Sequence, residues 1–270
     1  MPPEQDGAWE VPAYHAVELR PGRREYALCV FVLNEGERVL RQLERMRPLT
    51  GAADVVLADG GSTDGSAEPG RLAALGVHTL LVKKGPGRLS AQMRMALAHC
   101  LRAGYAGVVV MDGNDKDDPA ALPRFVEALQ RGDDHVQGSR FVPGGRAVRT
   151  PWLRYWGIRL LHAPLLGWAS GFRYTDTTNG FRAYSRRFLL DPRVQPFRSV
   201  FVHYELHYYL ALRAAELGFR VREVPVTRAY PARGATPTKI HGLRANWAVL
   251  RTLVSVCSGR FHPGAPRSGR

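Results

Sequence analysis

Three polar, turn-rich clusters stand out as residues able to do chemistry. They are Asp59-Gly60-Gly61-Ser62-Thr63-Asp64-Gly65, Asp112-Gly113-Asn114-Asp115-Lys116-Asp117-Asp118 and Asp176-Thr177-Thr178-Asn179-Gly180-Phe181-Arg182. Polar loops of this kind can mark a ligand site. The same residue types also make ordinary turns and helix caps, and Asp118-Pro119 has the pattern of a helix start. Lys84-Gly85-Pro86-Gly87-Arg88-Leu89-Ser90 precedes a helical stretch; its amides fit either a phosphate or sugar, or a plain strand-to-helix loop. Glu205 is flanked by His203 and His207, four apart on one helix face. That raises a metal-site reading, but no third ligand accompanies them and HYELH is not HExxH.

The elements that must position these clusters follow from the apolar pattern. Tyr26 to Leu33 (YALCVFVL), Asp54 to Ala58, the VHTLLV run and Gly107 to Met111 read as buried strands. Between them lie helical stripes: Val39, Leu40, Leu43 and Met46; Leu72 and Leu75; and Ser90 to Ala103. Strands alternating with helices predict βαβ units and a parallel sheet, with ligands at the carboxyl ends of the strands, where the polar clusters fall. No GxGxxG or Walker lysine pattern follows the first strand, so dinucleotide and P-loop readings lose ground.

After residue 130 the rhythm changes. Asp134 to Gln137 reads as a brief strand, then Gly138-Ser139-Arg140-Phe141-Val142-Pro143-Gly144-Gly145 as a loop. Residues 146–174 are rich in Arg and aromatics. A helix is expected over Tyr204 to Leu217, an alternating strand over Phe219 to Thr227, and an amphipathic helix over Ile240 to Val256. Residues 1–24 read as an extension without periodicity.

Length and composition bound the rest. The 270 residues are 45% hydrophobic and 23% charged, enough for a full core without staples. Three scattered cysteines (Cys29, Cys100, Cys257) argue against a disulfide framework and suit a reducing compartment. Neither a signal peptide nor an apolar run long enough to span a bilayer is recognisable, so membrane contact is expected to be peripheral. The net charge of +14 would raise nucleic-acid binding, but only four of the 38 basic residues are lysine and the arginines are scattered, so no nucleic acid is expected as a partner.

Taken in order, Asn34-Glu35, the DDGS-like loop at 59–65, the DxD-like region at 112–118, GSRFVPGG at 138–145 and TNGFRAYSR at 178–186 resemble family 2 glycosyltransferases, particularly the dolichyl-phosphate mannose synthase-like branch. The resemblance spans about residues 25–240. It implies an α/β, GT-A (Rossmann-like) fold with a mostly parallel central sheet flanked by helices and a C-terminal acceptor-side helical and strand extension. The donor half would cover about 25–130, the acceptor half about 131–240, and a C-terminal helix and tail 241–270.

The same resemblance implies an inverting transferase using a UDP- or GDP-sugar. Asp59 would read the base, with Gly60 where the family has a second Asp, and Leu33, Asn34 and Glu35 would line that pocket; Asn34 is equally suited to cap a helix. Gly87 and Ser90 would lie beside the donor. Asp112 would be chief ligand of Mg2+ or Mn2+ bridging the diphosphate, beside Gly113, with Asn114 offering an uncharged oxygen. Lys116 would hydrogen-bond the phosphates and repel a cation, while Asp115, Asp117 or Asp118 could supply the missing carboxylate.

Arg140 would stabilise the departing diphosphate, and Arg154 and Lys239 would hold phosphate. Asn179, Gly180 and Arg182 would face the acceptor. Asp176, or second Glu205, would act as general base if the acceptor is a hydroxyl; a lipid phosphate, already anionic, needs none. Residues 146–174 would lie on a membrane or pack as an acceptor-side helix. The altered DxD and DDGS motifs and the lack of a spanning segment favour a soluble acceptor over a polyprenyl phosphate. A homodimer is compatible with this reading, and the place of action would be the cytoplasm or the cytoplasmic face of the membrane. The rival readings are an inactive nucleotide-sugar-binding protein and a nucleotidyltransferase. The latter's Gly-rich basic loop is missing after the first strand.

Overall fold

The computed structural model describes residues 9–20, 24–231 and 242–265. In chain order its strands are β1 (Tyr14–Glu18), β2 (Tyr26–Val32), β3 (Asp54–Asp59), β4 (Val77–Lys83), β5 (Gly107–Asp112), β6 (His135–Ser139), β7 (Arg146–Val148), β8 (Arg182–Ser185), β9 (Val221–Pro225) and β10 (Thr227–Ala229). The α-helices are α1 (Glu37–Met46), α2 (Pro69–Ala74), α3 (Leu89–Arg102), α4 (Leu122–Gln130), α5 (Trp152–Gly157), α6 (Ala163–Ser170), α7 (Arg186–Leu190), α8 (Glu205–Glu216) and α9 (Gly242–Cys257). A π-helical turn, Ile158–His162, joins α5 to α6.

Eight strands form one sheet in the order β1-β4-β3-β2-β5-β8-β6-β9. The pairs β4-β3, β3-β2 and β2-β5 are parallel, as the βαβ reading requires. β8 runs antiparallel between β5 and β6, and β9 is parallel to β6. The parallel strands are covered on both faces. Ala27, Cys29 and Phe31 of β2 join Met93 and Leu97 of α3, Leu206 and Tyr209 of α8 and Leu253 of α9. Leu28, Val30 and Val32 face the other way, onto Leu40 and Leu43 of α1 and Phe125 of α4. This alternation explains why β2 is apolar throughout.

Three expectations are corrected. The stretch read as a patternless extension contains β1, which pairs antiparallel with β4 from Tyr14↔Lys83 to Glu18↔Thr79. β1 is an edge strand with four of five residues exposed, so it carries no hydrophobic signature. Phe219 to Thr227 is two strands in different sheets. Pro225, lacking an amide donor, ends β9, and β10 pairs with β7 in a two-stranded parallel sheet. Arg182, read as the end of a polar loop, opens β8, which lies inside the sheet between β5 and β6.

Candidate active site

The carboxyl ends of β2 and β3 are tied into one floor. Asn34 sits at φ 52° and does not cap α1, whose N-cap is Gly36. Its amide donates to Ser62 Oγ at 2.9 Å, and its side-chain oxygen accepts from Thr63 N at 2.8 Å. Asp59, 2% exposed, accepts from Ser62 Oγ at 2.6 Å and from Ser62 N at 3.0 Å, closing the loop on itself. Gln92, from α3, donates to Val32 O at 2.9 Å and to Ala58 O, pinning both strand ends. At Gly60, the second position of the DDGS-like loop, a Cβ would lie 3.3 Å from Val32 O, a tight approach, and 3.4 Å from Leu33 Cβ, an ordinary contact. Leu33 is partly exposed beside this floor, and Glu35 pairs with Arg38 at 3.0 Å.

Gly87, at φ +99°, admits no side chain, since a Cβ would lie 2.5 Å from Ala91 Cβ. Ser90 is buried; its hydroxyl donates to His203 O at 3.0 Å and accepts from Leu206 N at 3.2 Å, joining α3 to the start of α8. Both residues shape the loop in front of α3.

Asp112 ends β5 at the centre of the sheet. Gly113 is required where the chain turns, because a Cβ would meet Val32 Cγ1 at 2.5 Å and Phe31 O at 3.0 Å. Gly180 lets the TNGF loop approach, its absent Cβ falling 3.0 Å from Asp112 Oδ1. Gln42 of α1 fixes the loop, donating to Asp112 O at 2.9 Å and accepting from Asp115 N at 2.7 Å.

The three further aspartates take other partners. Asp115 turns out to Arg45 at 2.7 Å and Arg41 at 3.4 Å. Asp118 caps the 3-10 turn before α4, accepting from Ala120 N. Asp117, fully buried, pairs with Arg228 of β10. Arg228 also reaches Asp112 Oδ2 at 3.3 Å, and Asn114 Nδ2 donates to the same oxygen at 3.3 Å.

Burial alone would raise the Asp112 carboxyl, but Arg228 and Lys116 hold it below its ordinary value. Lys116 is 5% exposed; burial and Arg228 push it down to about 8. His207, buried and close to Arg182, is pushed down to about 3 and is neutral at pH 7.

Arg140 and Asp176 form a bidentate, fully desolvated pair, Nε to Oδ2 at 2.6 Å and Nη2 to Oδ1 at 2.9 Å, with both side chains 1% exposed or less. Burial would raise Asp176, but Arg140 holds it below the usual carboxylate range. Arg140 also donates to Thr178 Oγ1 at 2.8 Å. Glu223 of β9 braces this loop, accepting from Thr175 N at 2.9 Å and Asp176 N at 3.1 Å.

Asn179 and Arg182 are internal struts. Asn179 Oδ1 accepts from Phe181 N at 2.8 Å. Arg182 donates to Asn179 O at 2.9 Å, Thr177 O at 2.7 Å and His207 O. Glu205 accepts from His203 N at 2.6 Å and Val202 N at 3.1 Å.

Arg154 of α5 donates to Tyr230 OH at 2.9 Å, and Lys116 Nζ lies 5.5 Å from the same ring's centroid. Although burial pushes the Tyr230 phenol up, Arg228 and Arg154 hold it below its ordinary value. Asp112, Lys116, Asp117, Arg154, Arg228 and Tyr230 thus converge, next to the Arg140–Asp176 pair. Lys239 lies outside the described residues. Sequence reasoning missed Arg228, Tyr230 and Glu223, whose partners are remote in the chain and leave no local motif.

The donor set fits a divalent cation poorly. Asp112 already accepts from Arg228 and Asn114, and Lys116 and Arg228 bring two positive charges beside it. A unit charge 4 Å from another is repelled by roughly 4 kcal/mol at an effective dielectric of 20, and a divalent ion by twice that per neighbour. Among the described residues, no three His, Cys, Asp or Glu side chains gather as a ligand set.

Comparison with known proteins identifies the family and the fold. The profile of Glycosyl transferase family 2 matches residues 27–191. The polyprenol monophosphomannose synthase of Mycolicibacterium smegmatis is 30% identical over 266 residues, covering 95% of this chain and 94% of that protein. The undecaprenyl-phosphate mannosyltransferase of Micrococcus luteus is 34% identical over 203 residues, covering 72% and 79%. Among solved structures, glucosyl-3-phosphoglycerate synthase from Mycobacterium tuberculosis, crystallised with Mn2+, UDP and phosphoglyceric acid, superposes with a TM-score of 0.62 at 19% identity, covering 93% of this chain and 86% of its own. The same synthase has also been crystallised with Mg2+ and UDP. The fold is GT-A, and the chain belongs to glycosyltransferase family 2, on its dolichyl-phosphate mannose synthase-like branch.

Proposed function

We propose that this glycosyltransferase moves a hexosyl group, mannosyl by analogy with its relatives, from a nucleotide diphosphate sugar to a polyprenyl phosphate with inversion. The observation that carries the acceptor class is the state of the two acids able to deprotonate a hydroxyl. Asp176 is locked to Arg140, and Glu205 is anchored through Oε2 by two backbone amides. An acceptor that arrives as an anion needs neither.

The phosphate oxygen attacks the anomeric carbon, the bond from that carbon to the diphosphate oxygen breaks, and the nucleoside diphosphate leaves with the bonding pair. No proton has to be removed. Asp59, beside Leu33, Asn34 and Glu35, suits the nucleobase end of the donor. Asp112, Gly113, Asn114 and Lys116 suit the diphosphate end, and Arg154 on Tyr230 suits the acceptor phosphate.

This reverses the leaning towards a soluble acceptor, and the surface beside the site supports the reversal. Trp152, Leu153, Trp156, Leu160 and Trp168 are 49–85% exposed along α5, the π turn and α6. Residues 141–175 carry five arginines and no Asp or Glu, and none occurs from 224 to 270 either. An apolar ridge with aromatics and only positive charge suits the interface of an anionic bilayer, where the acceptor's chain resides. A cavity of about 600 Å3 opens beside it, lined by Phe141, Arg159, Trp168, Arg173, Tyr174 and Thr175. No helix among the described residues is long and apolar enough to cross a membrane; contact would be peripheral.

The test offers GDP- and UDP-sugars, radiolabelled in the sugar, with undecaprenyl phosphate or undecaprenol in detergent. Label should enter the organic phase only with the phosphate. Equal transfer to undecaprenol, or transfer only to water-soluble acceptors, would refute the acceptor class.

A further inference from the structure

We infer that Lys116 and Arg228 neutralise the donor diphosphate as fixed side-chain charge where the family pattern would use a divalent cation, with Asp112 and Asp117 serving as their counter-ions. The inference rests on the nucleotide-sugar reading above and deepens it.

The two cations are delivered together. Asp117 and Arg228 form a backbone bridge, Ala229 N donates to Lys116 O at 2.8 Å, and Asp118 N donates to Thr227 O at 2.9 Å. Residues 116–118 are therefore zipped to β10, and both side chains are carried by one rigid corner. Each is nearly inaccessible, at 5% and 6% exposed.

The formal charges add up. Two carboxylates (Asp112, Asp117) with two cations (Lys116, Arg228) sum to zero, as two carboxylates with one divalent ion do. Asn114, standing where the DxD pattern has its second carboxylate, removes a negative charge that such an ion would otherwise balance. Its Oδ1 is buried with no hydrogen-bond partner in the structure. An amide can turn its NH2 to a phosphate oxygen instead, which a carboxylate cannot. Arg228 gives one N–H of each terminal nitrogen to Asp117 and Asp112, each nitrogen carries a second N–H that a phosphate oxygen can accept from, and Lys116 is a point charge beside it.

The experiment is calorimetric titration of the full chain with UDP and with GDP, first in EDTA, then in Mg2+ or Mn2+. One of the two nucleotides should bind in EDTA with an affinity that metal changes by less than about twofold. Lys116→Gln should weaken that binding in EDTA by about tenfold or more, the size of one charge-assisted hydrogen bond. It should also restore a response to Mn2+, since a repelling charge is gone. Arg228→Gln is the second variant, read with a melting curve because it also strips Asp117 of its partner. Binding by the wild type only in the presence of metal would overturn the inference and leave the donor reading standing. Full affinity in Lys116→Gln under EDTA would overturn it too. Absence of binding by either nucleotide under every condition would overturn the donor reading itself, and this inference with it.

Discussion

Replacing Asp176 by Asn separates a positioning role from a base role. In the structure the carboxylate is fully buried and holds Arg140 through two bonds of 2.6 and 2.9 Å. The substitution leaves a guanidinium buried beside a neutral amide. Breaking one side of a buried pair costs about 3–5 kcal/mol. Unfolding entropy near 2.1 cal/mol/K per residue gives about 0.57 kcal/mol/K for 270 residues. The melting temperature should therefore fall by about 5–9 °C. Differential scanning calorimetry reads this directly.

Kinetics supplies the second arm. Arg140 holds Asp176 below the ordinary carboxylate range even though burial opposes it. A depressed carboxyl lends stability that is present above its unfolded value, near 3.9, and lost only as pH falls through the folded one. Asp176 therefore stays ionised throughout pH 5–8 and contributes no limb to the rate profile there. The pH profile of kcat should keep its shape in Asp176→Asn. The double variant Arg140→Met/Asp176→Leu should recover much of the lost stability, since an apolar pair can replace a buried ion pair. An unchanged melting temperature combined with a rate loss of about a hundredfold or more and a vanished pH limb would mark Asp176 as a general base and refute this reasoning.

Lys116 is pushed down to about 8, so affinity for a nucleoside diphosphate should be flat from about pH 7, above the second ionisation of the terminal phosphate, up to that value. It should weaken by up to about tenfold per pH unit above it, and a titration series on Lys116→Gln should lose the slope. Gly113→Ala forces a methyl within 2.5 Å of Val32 Cγ1 and should destabilise the chain by about 1–3 kcal/mol, measured by urea unfolding. Trp152→Glu with Trp168→Glu, both exposed, should leave stability within about 0.5 kcal/mol per site yet abolish co-sedimentation with phosphatidylglycerol vesicles; retained sedimentation would sink the membrane-surface reading.

The parallel core was legible because its strands are short and apolar throughout, and β2, β3 and β5 lie where the runs YALCVFV, DVVLA and GVVVM place them. What escaped notice lacks that pattern. β1 has no buried face and exists through backbone pairing at the edge of β4. β8 opens with Arg182, which is polar yet fully buried and satisfied by three carbonyls. The site divides the same way. Asp59, Asp112 and Arg140 could be singled out as candidates because they end or directly follow strands within recognisable motifs. The pairings could not be: Asp59 closes on Ser62 of its own loop, Asp176 meets Arg140 from 36 residues away, and Arg228, 116 residues from Asp112, was no candidate at all. A single arginine after an alternating strand carries no mark of the carboxylate it will meet.

These pairs are poor devices for stability alone, since taking both charges out of water costs several kcal/mol per ion. Their arrangement makes sense as orientation. Arg182 is the internal contrast: a buried guanidinium that only braces a loop is held by carbonyls, without a carboxylate among its described bonds. Arg140 and Arg228, which converge on the centre of the site, are each aimed by a buried aspartate. An aspartate that fixes the guanidinium plane before a phosphate arrives removes reorganisation from the binding step, the condition under which a fixed charge stabilises a leaving group best. On this argument the four arginine and aspartate positions act as two units, and each half-pair variant should impair ligand binding as much as loss of its partner does.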